Sequence, residues 1–211
     1  MLFVAGIGAD ASVDRRVAEF NDIAEARLAT SSEGELAEVQ AWRRAFSRMG
    51  LKPTQYRSAS EALLRRFRKE KSLPRIHPLI DLCNSISLAF ALPVAVFDAS
   101  KIVDYLEVRY ATGDEIFLTF SGEMENPDPH EVVFADSAGR AHARRWTNRQ
   151  SGYSAVRNRT TSALVVVEAL HESARADTES LTTTLASELG NAWSTDPASA
   201  ILCQSRARFD F

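Results

Sequence analysis

The chain has 211 residues, 45% of them hydrophobic and 25% charged, ordinary values for a soluble globular protein with room for a buried core. Its net charge is −3, no apolar run approaches the ~18 residues of a membrane span, and the opening MLFVAGIGAD lacks a basic start and reaches Asp10 at once, unlike a secretory signal. The only cysteines, Cys83 and Cys203, have no C-x-x-C spacing, which excludes a disulfide framework or zinc knuckle and fits a reducing cytoplasm.

The opening stretch reads as a buried first strand. Residues 13–30 place Val17, Phe20, Ile23, Ala24 and Leu28 at helical spacing, and residues 34–49 repeat the pattern through Leu36, Val39, Ala41, Trp42 and Phe46, with Gly50 at the C-cap position. Ser58-x-x-Glu61 is a capping box that launches SEALLRRFRKEK, with Leu63, Leu64 and Phe67 inward and Arg65, Arg66, Arg68 and Lys69 outward. Pro74 and Pro78 bracket RIH, and residues 78–91 read as a mostly apolar buried helix. From Pro93 the period changes to two. VAVFD, LEVRY, EIFLTF, EVVFAD and RAHARRW read as strands between turn signals, and residues 163–169 (ALVVVEA) as a buried strand carrying one carboxylate. An amphipathic helix over 177–193 and a terminal strand near Ile201–Phe209 complete the chain. The expected fold is one α+β domain over residues 1–211, with a mostly antiparallel sheet formed by residues 93–169 and flanked by helices.

Charge is arranged in blocks. Lys52–Arg75 carries eight Lys/Arg against two Glu, Asp104–Asp136 nine acids against Arg109 alone, and Arg140–Arg159 six arginines and no acid. Charge alone fits either a phosphate-binding face or solvated surfaces that cancel pairwise across the fold. The histidines at 77, 130, 142 and 171 lack metal-ligand spacing, and neither a G-x-G-x-x-G turn, a P-loop nor a G-x-S-x-G elbow is present.

Three polar interruptions stand out. Asp81 and Asn84 lie three apart in an apolar helix, so they project to one side, either bracketing a loop or meeting a ligand. Glu168 breaks VVVEAL, where an unpaired charge is costly, so it either pairs with a nearby arginine or faces a cavity and accepts from a ligand. RRWTNRQ interleaves Trp146 with Arg144, Arg145 and Arg149, which suits phosphate and base stacking or a surface strand with a half-buried tryptophan.

In KPTQYRSASEALLRRF, LPRIHPLIDLCNSISL, LPVAVFD, EVVFAD followed by RRWTNRQ, and TTSALVVVEAL, all in family order from Lys52 to about Leu170, the chain resembles the free-standing relatives of the B3/B4 domain. That domain is the tRNA-proofreading domain of the phenylalanyl-tRNA synthetase β subunit. Its D-x-T-N segment is matched by Asp81-Leu82-Cys83-Asn84, its P-x-H-A-F-D segment by Pro93–Asp98, and its strand ending in V-L-E by Val166-Val167-Glu168. Cys83 holds the threonine position and Ala95 the histidine position.

The resemblance implies hydrolysis in trans of a wrong aminoacyl ester on tRNA, with neither cofactor, metal nor protein nucleophile. It implies catalytic roles for Asn84 and Glu168, and a substrate pocket formed with Asp81, Cys83 and Ala95. It places tRNA contacts on Arg57, Arg65, Arg66, Arg68, Lys69, Arg144, Arg145, Trp146 and Arg149. A non-catalytic tRNA- or RNA-binding module, or a protein that senses a free amino acid, would use the same features.

Overall fold

The computed structural model describes residues 1–210. Strand β1 (Leu2–Ala5) leads to helices α1 (Asp14–Thr30), α2 (Ala37–Arg48), α3 (Ala59–Glu70) and α4 (Pro78–Phe90). Strands β2 (Val94–Asp98), β3 (Leu106–Tyr110), β4 (Phe117–Leu118), β5 (Met124–Glu125), β6 (Val132–Asp136), β7 (Ala141–Arg144), β8 (Arg149–Gln150) and β9 (Ser162–Val167) follow, then α5 (Ala174–Trp193) and β10 (Ala198–Ser199).

Local chemistry sets the helix ends. Pro78 occupies the first turn of α4, where its missing N–H and fixed φ do no harm, and the Nδ1 of His77 accepts from the Leu79 amide at 3.2 Å. The predicted capping box of α3 is half formed. Ser58 Oγ accepts from the Glu61 amide at 3.3 Å, but the Glu61 carboxylate turns to the Arg43 guanidinium at 2.7 Å, because a charged partner outbids a backbone N–H. Gly50, just beyond α2, has a φ of +75° as its position suggested.

The strands divide into two four-stranded antiparallel sheets, β10-β1-β9-β2 and β3-β6-β7-β8, plus a β4-β5 ribbon. The single sheet expected from residues 93–169 is thus two, and the first recruits β1 and β10 from outside that span. EIFLTF shortens to Phe117–Leu118, RAHARRW ends at Arg144, and the terminal strand falls at Ala198–Ser199, ahead of the expected 201–209.

Strand parity explains the layering. In β2 and β9, Val94, Val96, Ala163, Val165 and Val167 face a core built with Leu79, Leu82 and Ile86 of α4, Phe20 of α1 and Leu181, Leu185 and Leu189 of α5. The alternate residues Ala95, Phe97, Leu164 and Val166 pack against Phe134 and Ala143 of the second sheet. Helices, first sheet and second sheet are therefore stacked in that order in one α+β domain, while α3 joins the side by packing Leu64 and Phe67 with Leu88 of α4. Among the described residues no helix is long and apolar enough to cross a membrane.

Candidate functional site

Glu168 follows β9 directly and keeps its parity, so its side chain lies on the face of Leu164 and Val166, toward the second sheet. The residue sits where two concavities meet. A cleft of about 1150 Å³ is lined by Tyr105, Leu106, Arg175 and Arg208, and a small cavity of about 60 Å³ by Pro93, Ala95, Ala143 and Thr147. Phe134, Trp146, Val166 and Glu168 line both.

Trp146 reaches this junction by an unusual backbone path. Arg145 and Trp146 both have positive φ, 47° and 58°, a conformation that costs a non-glycine residue ~1–3 kcal/mol. The turn is held by the Trp146 amide, which donates to the Val132 carbonyl at 2.8 Å, and by the indole, which stands edge-on to Trp42 with centroids 5.0 Å apart. The indole N–H then donates to Glu168 Oε1 at 2.7 Å.

No Lys, Arg or His side chain among the described residues pairs with Glu168. Burial pushes its carboxyl up to about 7, against the lowering pull of the Trp146 N–H and of the Met1 ammonium. The hydroxyl of Thr147, in the lining of the same small cavity, is buried and has no partner among the described residues. A carboxyl poised near neutrality at the mouth of such a recess can receive a donor-rich ligand head group.

Of the residues expected at the site, Ala95, Trp146, Arg149 and Glu168 come together around the small cavity. Arg57 lies close by, its carbonyl accepting from Asn148 Nδ2 at 2.8 Å, and Arg145 stacks its guanidinium over Tyr56. Asp81, Cys83 and Asn84 do not join them. Helix α4 packs on the opposite face of the first sheet, so the sheet stands between Asn84 and Glu168, and Asn84 lines neither concavity. Asp81 instead clasps the connector before its own helix, accepting from the Ile76 amide at 2.9 Å and pairing with Arg75 at 3.1 Å. Cys83 is embedded in the helical core, where burial pushes its thiol up to about 12.

The basic blocks are partly neutralised from within. Arg144 is buried and grips Glu131 through two 2.9 Å bonds while reaching Glu125 at 2.6 Å, so it is an internal cation rather than a phosphate anchor. Arg149 also meets Glu125, at 3.0 Å. On α3, Arg65 and Arg68 share the buried Glu33 at 3.0 and 2.8 Å, Arg66 pairs with Glu70, and Lys69 is exposed. Thr147, Phe134 and Ala143 escaped the sequence reading. Parity alone in VAVFD and LVVVE would have put Ala95 with Glu168, but a lone threonine in RRWTNRQ carries no such signal.

Residues 41–192 match the family model described as "B3/4 domain". Similar curated proteins include the phenylalanine–tRNA ligase beta subunit of Bradyrhizobium diazoefficiens, 39% identical over 64 residues, or 30% of this chain and 8% of that protein. The corresponding subunit of Coxiella burnetii is 38% identical over 47 residues, 22% of this chain and 6% of that one. Each match thus spans less than a tenth of the ligase subunit. A solved N-terminal fragment of the phenylalanyl-tRNA synthetase beta-subunit from Pyrococcus horikoshii aligns over 57% of this chain and 41% of its own, with a TM-score of 0.46 and 14% identity.

Proposed function

The chain belongs to the B3/4 domain family, and on that premise we propose that it receives the aminoacylated end of a tRNA and hydrolyses a wrongly attached amino acid in trans. The observation that carries this reading is Glu168, a half-buried carboxyl with no cationic side-chain partner among the described residues, at the junction of a large cleft and a small recess. The cleft is somewhat larger than the ~300–1,000 Å³ usual for small-molecule sites, enough for a terminal nucleoside, and the half-exposed ring of Tyr105 on its wall is a stacking surface for a base. The aminoacyl group would then enter the small recess, its polar end accepted by Glu168.

In the reaction, a water oxygen attacks the ester carbonyl carbon and the bond to the ribose oxygen breaks. The acyl carbon keeps the hydroxyl and the ribose oxygen takes the proton, giving free amino acid and uncharged tRNA. An aminoacyl ester is already activated, so holding it beside a positioned water and the vicinal ribose hydroxyl supplies much of the acceleration. Glu168 serves as the group that touches substrate, and Asn84, behind the sheet, is left without a part in the chemistry. Arg57, Arg145 and Arg149 beside the recess, with Arg65, Arg66, Arg68 and Lys69 along the exposed side of α3, provide phosphate contacts.

A panel of mischarged tRNAs tests this directly. Release of amino acid from at least one species, lost in Glu168→Ala, is the expected result. Binding of tRNA without release from any species would leave a non-catalytic binding module. The internal pairing of Arg144, Arg149, Arg65 and Arg68 favours one further reading, a protein that holds a free amino acid without RNA. Insensitivity to salt, or absence, of tRNA binding would select it.

A further inference from the structure

We propose that the recess beside Glu168 and Thr147 takes the α-ammonium end of an amino acid whose side chain is small and aliphatic, of alanine to valine size, and excludes aromatic ones. The inference rests on the reading of this site as the aminoacyl pocket and narrows its substrate class.

Size is the first argument. At about 60 Å³ the recess holds roughly four waters at ~10–15 Å³ each, whereas an apolar cavity that admits a benzene ring measures ~150 Å³. Its walls are poorly placed to yield. Ala95 and Val166 are cross-strand partners in the first sheet, and Phe134 and Ala143 are cross-strand partners in the second. The Phe134 ring is backed by the fully buried Phe97 with centroids 5.7 Å apart. Widening the recess on its sheet side for an aryl group therefore means moving one hydrogen-bonded sheet relative to the other, or rotating a ring already packed against Phe97.

Charge is the second argument. Glu125, Glu131, Glu115, Glu61 and Glu33 are each met by an arginine, while Glu168 has none among the described residues. The Met1 ammonium, bonded to the Ala200 carbonyl, offsets this half-buried carboxylate without pairing with it directly, and a ligand ammonium supplies a direct charged partner. It also brings three N–H donors, for which the Glu168 carboxylate is the acceptor in the recess. Because burial holds the Glu168 carboxyl near 7, an arriving ammonium displaces its proton to solvent at pH 6.

Aminoacyl amides, which cannot be hydrolysed as esters, give a test independent of turnover. Alaninamide, valinamide and tyrosinamide are titrated calorimetrically into the full chain at pH 6 in buffers of different ionisation heat. The expected result is binding of alaninamide and valinamide at least about ten-fold tighter than tyrosinamide, with proton release, and a loss of about ten-fold in Glu168→Gln. Ala95→Leu is expected to block alaninamide. Ala95→Gly, which introduces no clash, is expected to narrow the gap to tyrosinamide, with thermal melts confirming that both variants fold.

Equal or tighter binding of tyrosinamide, unchanged affinity in Glu168→Gln, or no binding of any amide overturns the inference. The two readings fail separately. Amide binding of the expected pattern without deacylation of any charged tRNA sinks the hydrolysis and keeps the recess, whereas release of tyrosine from tRNA without alaninamide binding does the reverse.

Discussion

Replacing Glu168 with Gln keeps an oxygen to accept from the Trp146 indole but removes the ionisation, so the variant mimics the protonated carboxyl at every pH. The carboxyl ionises near 4.5 in an unfolded chain and at about 7 in the fold. Its folded value is raised, so the stability carried by the protonated form is fully present below pH 4.5 and lost as pH rises through 7. At 1.36 kcal/mol per pH unit the displacement corresponds to about 3 kcal/mol above pH 8. The cleft admits some solvent to the residue, which reduces this to about 1–3 kcal/mol. Near pH 4.5, Glu168→Gln and the parent should therefore be almost equally stable, and at pH 8.5 the variant should be the more stable by that amount. For a chain of this length the gain is ~2–4 °C in Tm per kcal/mol. Urea unfolding followed by tryptophan fluorescence across pH 4.5–8.5 measures the difference, which should grow between the two ionisation values, 4.5 and about 7, and level off above 7. A difference constant with pH, or a parent that gains on the variant as pH rises, would refute the reasoning that burial without a cation governs this carboxyl.

Changing Trp146 to Phe removes the hydrogen bond that favours the ionised Glu168, so the midpoint of that same difference curve should move to higher pH and the curve should level off above 7. A midpoint that stays or falls would show that the indole does not act through its hydrogen bond. Arg144→Met leaves Glu131 buried without its two-pronged partner and should lose about 3–5 kcal/mol of unfolding free energy, whereas the double change Glu131→Leu with Arg144→Met should recover most of it. Equal losses in the single and double variants would contradict that account.

Much of the fold was legible because period 3.6 and period 2 are local properties. The helices of residues 13–91 and the strands VAVFD, LEVRY and EVVFAD stand within a few residues of their expected places. Partnership between strands is not local. Nothing in MLFVA says that Leu2 will face Val165 across the sheet, and so the division into two sheets was hidden. The same gap misplaced Asn84. Spacing of three puts it beside Asp81 on one side of a helix, but which face of a sheet that helix covers depends on the crossing of distant segments. Charge counting had a similar blind spot, because six arginines in a row of twenty residues look like a surface until Glu125 and Glu131 fold onto three of them. Glu168 was read from the cost of a carboxylate in VVVEAL, and that local cost carried over into three dimensions.

Strand β1 lies outside residues 41–192, yet it occupies the side of β9 opposite β2. It thereby covers the backbone of Ser162 to Val165 in the most continuously apolar strand among the described residues. Without Leu2–Ala5 that strand would present a bare row of amides and carbonyls along SALV, a template for adhesion to a second molecule. Helix α1, also outside that span, lies against α4. The N-terminal forty residues thus act as a sheath, keeping the strand that delivers Glu168 from joining the wrong partner.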